Sequence, residues 1–211
     1  QIGFDSKVEN AKGVRIEGNS KILADHAVFT TAELKVNEFF VLRPAFRATY
    51  NSKFKVPLIP SFNALIDIKE IDVRMSYARG FRAPSLKELY FEFVDINHNI
   101  IGNKDLGSEN SNNFQISVDL NKYIDKFSFD FSSNIFFNDI NNLITLSQSP
   151  NSIQYSYFNI GKYKTKGISN RLKVFTKKFN FSVGSNYTGR YNNLSSTFDS
   201  QKYNYSHSLS S

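Results

Sequence analysis

Residues 62–77 read FNALIDIKEIDVRMSY, and this stretch decides the fold. Phe62, Ala64, Ile66 and Ile68 fall on one parity, with Ser61, Asn63 and Asp67 on the other. After Lys69 and Glu70 the alternation restarts, with Ile71, Val73, Met75 and Tyr77 set against Asp72, Arg74 and Ser76. Successive side chains of a β-strand point to opposite faces, so each half predicts a strand with one apolar and one polar face. The two polar residues between them suit a tight hairpin turn. Strands covered on both sides are apolar throughout, which Asp72 and Arg74 forbid here.

The same pattern recurs on either side. Upstream, Val28, Thr30, Ala32, Leu34 and Val36 oppose Thr31, Glu33 and Lys35, and then Phe40, Leu42, Phe46, Ala48 and Tyr50 oppose Arg43, Ala45, Arg47 and Thr49. Downstream, Phe114, Ile116, Val118 and Leu120 alternate with Gln115, Ser117 and Asp119, and Phe127, Phe129, Phe131 and Ile135 with Ser128, Asp130, Ser132 and Asn134. Ile168, Leu172 and Val174, then Phe179, Phe181, Val183 and Tyr187, continue the series. About eight strands are predicted, with Tyr203 to Leu209 a ninth.

Short turns are expected at 37–39, 69–70, 121–126 and 177–178, and long polar loops at 51–60, 84–110, 147–164 and 190–202. Transmembrane barrels have short periplasmic turns and long extracellular loops. A soluble sandwich has no reason to sort its connections this way, and its dry interior would have to take either arginines or leave rows of Phe and Ile in water. Lipid on one face and water on the other removes the conflict. The expected fold class is therefore all-β: an antiparallel transmembrane β-barrel wall, with 1–24 an extracellular loop and 25–211 strands and loops.

Val28, Leu34, Phe40, Leu42, Phe62, Ile66, Phe114, Val118, Phe129 and Phe181 are expected to face lipid. Glu33, Arg43, Arg47, Asp67 and Arg74 are expected to face the lumen, with Glu33 directly across from Arg43. Arg79 shares the parity of Tyr77 and Phe81. Either a bulge at Gly80 changes the phase, or Arg79 lies beyond the apolar band, where lipid phosphates can pair with it.

Composition narrows the class. The hydrophobic content of 40% includes no run of roughly 18 or more apolar residues, as a membrane helix requires. Gln1 opens directly into polar sequence with no signal peptide, so a start inside a longer chain is expected. The absence of cysteine removes disulfides and thiolate metal sites. The net charge of +7 is spread along the chain instead of forming one stripe, which argues against nucleic acid and fits an anionic surface or ligand. The 21 Phe and 11 Tyr are the surplus that aromatic girdles at two membrane interfaces would use.

No catalytic constellation or cofactor site is expected. His26, His98 and His207 lack metal-ligand spacing, and Asp95, Asn97 and Asn99 lack the glycine and terminal glutamate of a calcium loop. The Asn-x-Ser/Thr triplets at Asn186, Asn193 and Asn204 are what chance produces in an Asn- and Ser-rich chain. Between Pro84 and Phe93 one helical turn is predicted, with Leu86, Leu89 and Tyr90 on one face. Tyr90, Phe91 and Phe93 are the candidates for an aromatic surface offered to a ligand.

The stretch Arg74 to Leu89, RMSYARGFRAPSLKEL, resembles the best-marked segment of TonB-dependent receptor barrels, in which a strand runs into a Gly-Phe-Arg-Ala-Pro loop. Gly102, Asn103, Asp105, Leu106 and Glu109 are similar to the family's Gly-Asn-Pro-x-Leu-x-Pro-Glu segment, with Lys104 and Ser108 in place of its prolines. FFNDINNLI at 136–144, and Asn159, Gly161, Gly167 and Ile168, extend the likeness, while Ser169 stands where the family often has Glu. The resemblance is to the siderophore and cobalamin receptor branch. It implies about eight to nine strands of a barrel of roughly 22, open as a fragment, without the plug and the closing strands. It also implies a bacterial outer-membrane location and TonB-energised uptake of a ferric siderophore or cobalamin. The implied partners are outer-membrane lipid and lipopolysaccharide, the TonB system through the missing plug, and a metal chelate or vitamin. A passive porin-like channel and a soluble carbohydrate-binding β-protein are the alternatives.

Overall fold

The computed structural model describes residues 1–149, 152–192 and 203–211. In chain order its elements are β1 (Ile2–Lys12), β2 (Ser20–Thr31), β3 (Leu34–Lys35), β4 (Phe40–Asn51), β5 (Ile59–Ile68), β6 (Ile71–Arg82), α1 (Leu86–Tyr90), β7 (Glu92–Val94), β8 (Asn99–Ile101), β9 (Glu109–Ile124), β10 (Phe127–Gln148), β11 (Tyr155–Phe175), β12 (Asn180–Asn192) and β13 (Asn204–Ser210). One antiparallel sheet runs β1-β2-β4-β5-β6-β9-β10-β11-β12-β13, so each strand lies beside its sequence neighbour on this path. Among the described residues β1 and β13 each pair on one side only, and the sheet is open.

The ladders carry the alternation across the whole sheet without a slip. Ala64, Met75, Ile116, Ile135 and Ile168 lie in one cross-strand row, and Ile68, Ile71, Leu120, Phe131, Leu172 and Val183 in another. All ten residues expected on the apolar face share it. It is bare of protein: Phe114 is 48% exposed and Ile135 53%. The register through Gly80 is unbroken, with Arg79 opposite Asn112, so no bulge changes the phase and Arg79 stays on the apolar side.

Aromatic rings flank the aliphatic rows. Toward the long loops Phe46, Phe62, Tyr77, Phe114 and Phe137 form a chain, with neighbouring centroids 4.8 to 6.5 Å apart. Toward the short turns stand the pairs Phe127–Phe129 and Phe179–Phe181. The tight hairpins place Lys69 and Asp125 at φ 56°, the left-handed region that lets a two-residue turn follow the strand twist.

Several expectations need correction. Residues 1–24 are not a loop: they form β1 and the first part of β2, paired from Ile2–Thr30 to Lys12–Ser20. The main path therefore has ten strands. The segment 121–126 is mostly strand, because β9 pairs with β10 up to Ile124. The loop expected at 147–164 shrinks to 149–154, since β11 begins at Tyr155 and its polar residues are held by backbone pairing with β10. The loop expected at 190–202 lies largely outside the described residues, as does the triplet at Asn193.

β10 has 22 residues and β11 has 21, whereas about 9 to 11 suffice to span a bilayer. Their short-turn ends are fixed by the turns at 125–126 and 176–179, so this hairpin overshoots at the long-loop end. Ile116→Arg, in the middle of the apolar rows, should destabilise the fold in lipid or detergent by about 2 to 4 kcal/mol, while Ser117→Arg on the opposite face should cost far less. Equilibrium unfolding in urea with lipid vesicles measures the difference.

Candidate functional site

The connection 83–108 folds onto the polar face at the long-loop end and organises the candidate site. Ser85 caps α1: its hydroxyl accepts from the Glu88 amide at 3.2 Å, while the Glu88 carboxylate accepts from the Ser85 amide at 2.7 Å. The helix therefore starts after Ser85, with Pro84 preceding the cap. Leu89 and Leu106 are buried against Ile144 of β10, with Phe54, Tyr90 and Tyr157 around them. Among the described residues this small cluster is an apolar core on that face.

Arg82 ties the segment to the wall. Its guanidinium donates to both Glu109 oxygens, at 2.9 and 2.5 Å, and to Glu88 at 2.9 Å. Glu109 also accepts from the Ile144 amide at 2.7 Å, so one cation joins β6, α1, β9 and β10. Burial alone would push the Glu88 carboxyl up, but Arg82 and the Ser85 amide and hydroxyl outweigh it and hold it below its ordinary value.

The motif residues prove to be docking devices. A Cβ on Gly102 would meet the Leu89 carbonyl carbon at 2.7 Å, so only glycine allows that approach. Asn103 donates to the Tyr157 carbonyl at 2.9 Å. The Asn159 amide nitrogen donates to the carbonyls of Gly107 and Asn142, and its oxygen accepts from the Gly107 amide.

The segment also crosses the sheet. β8 pairs with β11 at Tyr155 and Ser156, β7 pairs with β8, and the Glu92 amide donates to the Arg15 carbonyl at 2.8 Å. From the β1–β2 connection to β11 this bridge needs three strand spacings, about 14 Å, whereas the wall itself takes six, about 29 Å. The sheet therefore curls toward its polar face, and the bridge closes a hydrogen-bonded ring at the long-loop end.

Tyr90, Phe91 and Phe93 lie in this bridge, and each carries a cation. Lys21 and Lys53 sit 4.9 and 4.8 Å from the Tyr90 ring, Arg15 sits 4.0 Å from Phe93, and Lys87 sits 5.5 Å from Phe91. Lys53 also donates to the Tyr90 hydroxyl at 2.8 Å. His98 stacks on Phe93 at 4.4 Å. Parity and local spacing give no sign of these cations, because they come from separate segments that only the ring brings together. A neighbouring cavity of about 390 Å³ is lined by Asp5, Lys7, Glu9, Asp25, Arg47 and Arg82 among others.

The five wall residues singled out in the sequence do not meet in one cluster. Arg43 donates to Glu33 at 2.8 Å, Arg47 to Asp5 at 2.8 Å, and Arg74 to Asp72 and Asp119 at 2.8 and 2.6 Å. Asp67 stands opposite Asp72 in the ladder. Asp95 is occupied by its own loop, accepting from the amides of Asn97 and His98 and pairing with the His98 ring. His26 and His207 lie on strands, beside Ser6 and Ser185.

The family model for TonB dependent receptor-like β-barrels matches residues 9–209. The chain belongs to this family. It is a bacterial outer-membrane protein and not an enzyme, its strands are transmembrane, and the soluble carbohydrate-binding alternative is set aside. No curated protein matches it in sequence. The siderophore receptor PirA from Pseudomonas aeruginosa shares its fold with a TM-score of 0.74 at 18% identity, over 99% of this chain and 40% of that one. The ferric enterobactin receptor PfeA from the same organism gives 0.65 at 17%, over 90% and 32%. The hemophore receptor HasR from Serratia marcescens gives 0.64 at 11%, over 90% and 39%. The TonB-dependent receptor wall seen here thus spans at most 40% of the length of these structures.

Because its carboxyl is held low, Glu88 stabilises the capped segment above the ordinary carboxylate range and loses that contribution as pH falls through its folded value. Hydrogen exchange at the Leu89 and Phe91 amides, which close α1, should therefore stay slow in mildly acid solution and quicken only below the usual glutamate range. Arg82→Ala should quicken it already at neutral pH, since losing hydrogen bonds to charged partners costs on the order of 2 kcal/mol.

Proposed function

We propose that the chain forms part of the wall and the ligand-facing mouth of a TonB-dependent receptor that imports a negatively charged metal chelate of the ferric siderophore type. The observation that carries this reading is the set of Arg15, Lys21, Lys53 and Lys87 over Tyr90, Phe91 and Phe93. No carboxylate pairs with any of these four cations among the described residues. Cations over ring faces offer an anionic, ring-bearing ligand both charge and a flat apolar surface. This favours a ferric siderophore over cobalamin. The bridge over the mouth argues for a gated receptor over a passive pore, and an upstream plug domain would separate the two.

Unpaired strand edges are untenable in lipid, so β1 and β13 are expected to pair with further strands, in a barrel of roughly 22. Titration calorimetry of the intact receptor in detergent, with ferric enterobactin and cyanocobalamin as probes, tests the ligand class. The ferric catecholate should bind in a salt-dependent manner, and the triple change Lys21→Gln, Lys53→Gln and Lys87→Gln should weaken it by about tenfold or more. Equal binding of cyanocobalamin, indifferent to the three lysines, would sink the proposal.

Glu33, Arg43, Arg47, Asp67 and Arg74 are assigned to the lumen, opposite the plug of the whole receptor. Most are already partnered within the wall, which suits them to keeping the inner surface wet more than to holding ligand. A photoreactive residue at position 43 or 47 in the intact receptor should capture the plug. Capture of lipid would show the faces to be reversed.

A further inference from the structure

The lipid-facing side of the wall changes character along one cross-strand row. On β4, β5, β6 and β9 that row reads Phe40, Ile66, Val73 and Val118, all apolar. It continues as Ser133 on β10, Asn170 on β11 and Ser185 on β12. Each of these three is bracketed, two residues away on its own strand, by apolar neighbours on the same parity: Phe131 and Ile135, Ile168 and Leu172, Val183 and Tyr187. The polar groups therefore sit inside the apolar band whatever the tilt of the strands. The other outward Ser–His pair, Ser6 with His26, lies beside Tyr50 near the long loops and does not belong to this row.

The wall satisfies these groups only in part. The Ser133 hydroxyl donates to Asn170 Oδ1 at 2.8 Å, and the Ser185 hydroxyl shares a hydrogen bond with His207 Nε2 on β13 at 3.1 Å. The Asn170 amide nitrogen and the second ring nitrogen of His207 have no partner among the described residues. Hydrocarbon offers such groups nothing, and polar side chains at membrane depth are ordinarily turned toward protein. Here they are turned away from their own barrel, so their cover has to come from another molecule in the membrane. Hydroxyl, carboxamide and neutral imidazole can each both donate and accept, which lets this surface complement a copy of itself without bringing a charge into lipid. Charge on the same hairpin is divided by strand. β10 carries Asp130 and Asp139 and no cation, whereas β11 carries Lys162, Lys164, Lys166, Arg171 and Lys173 and no carboxylate.

We infer that the outward face of β10 and β11, centred on Ser133 and Asn170, is the seam at which a second copy of this chain docks within the membrane. Charge places the twofold axis. Along the membrane normal and between β10 and β11, the axis sets each β10 against the β11 of the other copy. Ser133 then faces Asn170, Ile135 faces Ile168, and Asp139 faces Lys164, a pair already 3.3 Å apart within one wall. An axis through β11 would set Lys164 against itself, and like charges across an interface repel. Two convex walls meet only along a narrow seam, which suits a patch confined to neighbouring strands. The 22 and 21 residues of β10 and β11, against about 9 to 11 needed to cross the bilayer, prolong that seam beyond the lipid. The inference rests on the outer-membrane location and does not depend on which ligand the receptor imports.

The test uses the intact receptor in lipid vesicles over a range of protein-to-lipid ratios, with a short bis-maleimide as cross-linker. Ser133→Cys receptor mixed with Asn170→Cys receptor should cross-link to a dimer more readily than either variant alone, as the axis between the two strands requires. Val73→Cys, in the same row but on the apolar sector, should not cross-link. The triple change Ser133→Ala, Asn170→Leu and Ser185→Ala should weaken dimerisation by about tenfold or more. Its unfolding in urea should be unaltered or shifted to higher urea, since it removes polar groups from the lipid-facing side. A purely internal role for the Ser133–Asn170 bond would do the reverse, lowering stability while the dimer persists, and would overturn the inference. A monomer at every protein-to-lipid ratio, or equal cross-linking at Val73→Cys, would overturn it as well. Capture of a different protein by Asn170→Cys in native outer membranes would overturn the second copy as the occupant.

Discussion

Unbroken antiparallel register is the constraint on which everything else in this molecule depends. Side chains alternate with period two, so a one-residue slip in any ladder would move that strand's apolar residues to the charged face and its arginines into lipid. From β1 to β13 no ladder slips. The aromatic chain, the carboxylate row Asp67–Asp72–Asp119 and the outward lysines all follow from that continuity. Arg74, set between two of those carboxylates, offsets the repulsion that like charges in neighbouring strands would otherwise cause.

The fold was largely legible because the two solvents write themselves into the sequence. FNALIDIKEIDVRMSY shows both parities and the turn between them, and the pair of Glu33 with Arg43 followed from parity and a turn alone. β1 was missed because Ile2, Phe4 and Val8 alternate with Ser6 and Asn10 on their own face, which dilutes the apolar signal. The upper half of β11 was missed for a related reason. Beyond the membrane neither face needs to be apolar, so period two disappears from the side chains while the backbone pairing persists.

The site was legible only in part. Tyr90, Phe91 and Phe93 stood out as aromatic residues in a polar loop, but Arg15, Lys21, Lys53 and Lys87 had no local signature. Their role is a product of curvature, which brings the β1–β2 and β4–β5 connections to α1. Three of the family-like residues, Gly102, Asn103 and Asn159, turn out to seat the bridge on the wall. In the proposed reading, family signature and ligand contact therefore reside in different residues, and a chain could keep the first while changing the second.

The ring at the mouth also constrains the order in which the molecule can assemble. Neighbouring strands of the wall close short hairpins, and each such closure sacrifices little chain entropy. The contacts of the bridge join Ile16 to Phe91 and Ile101 to Ser156, far apart in the chain. They become affordable only after β2 through β11 have zipped and curled, when the partners already lie near one another. The mouth is thus the last part to form and the first to loosen, so this rim can rearrange while the wall in the membrane stays intact.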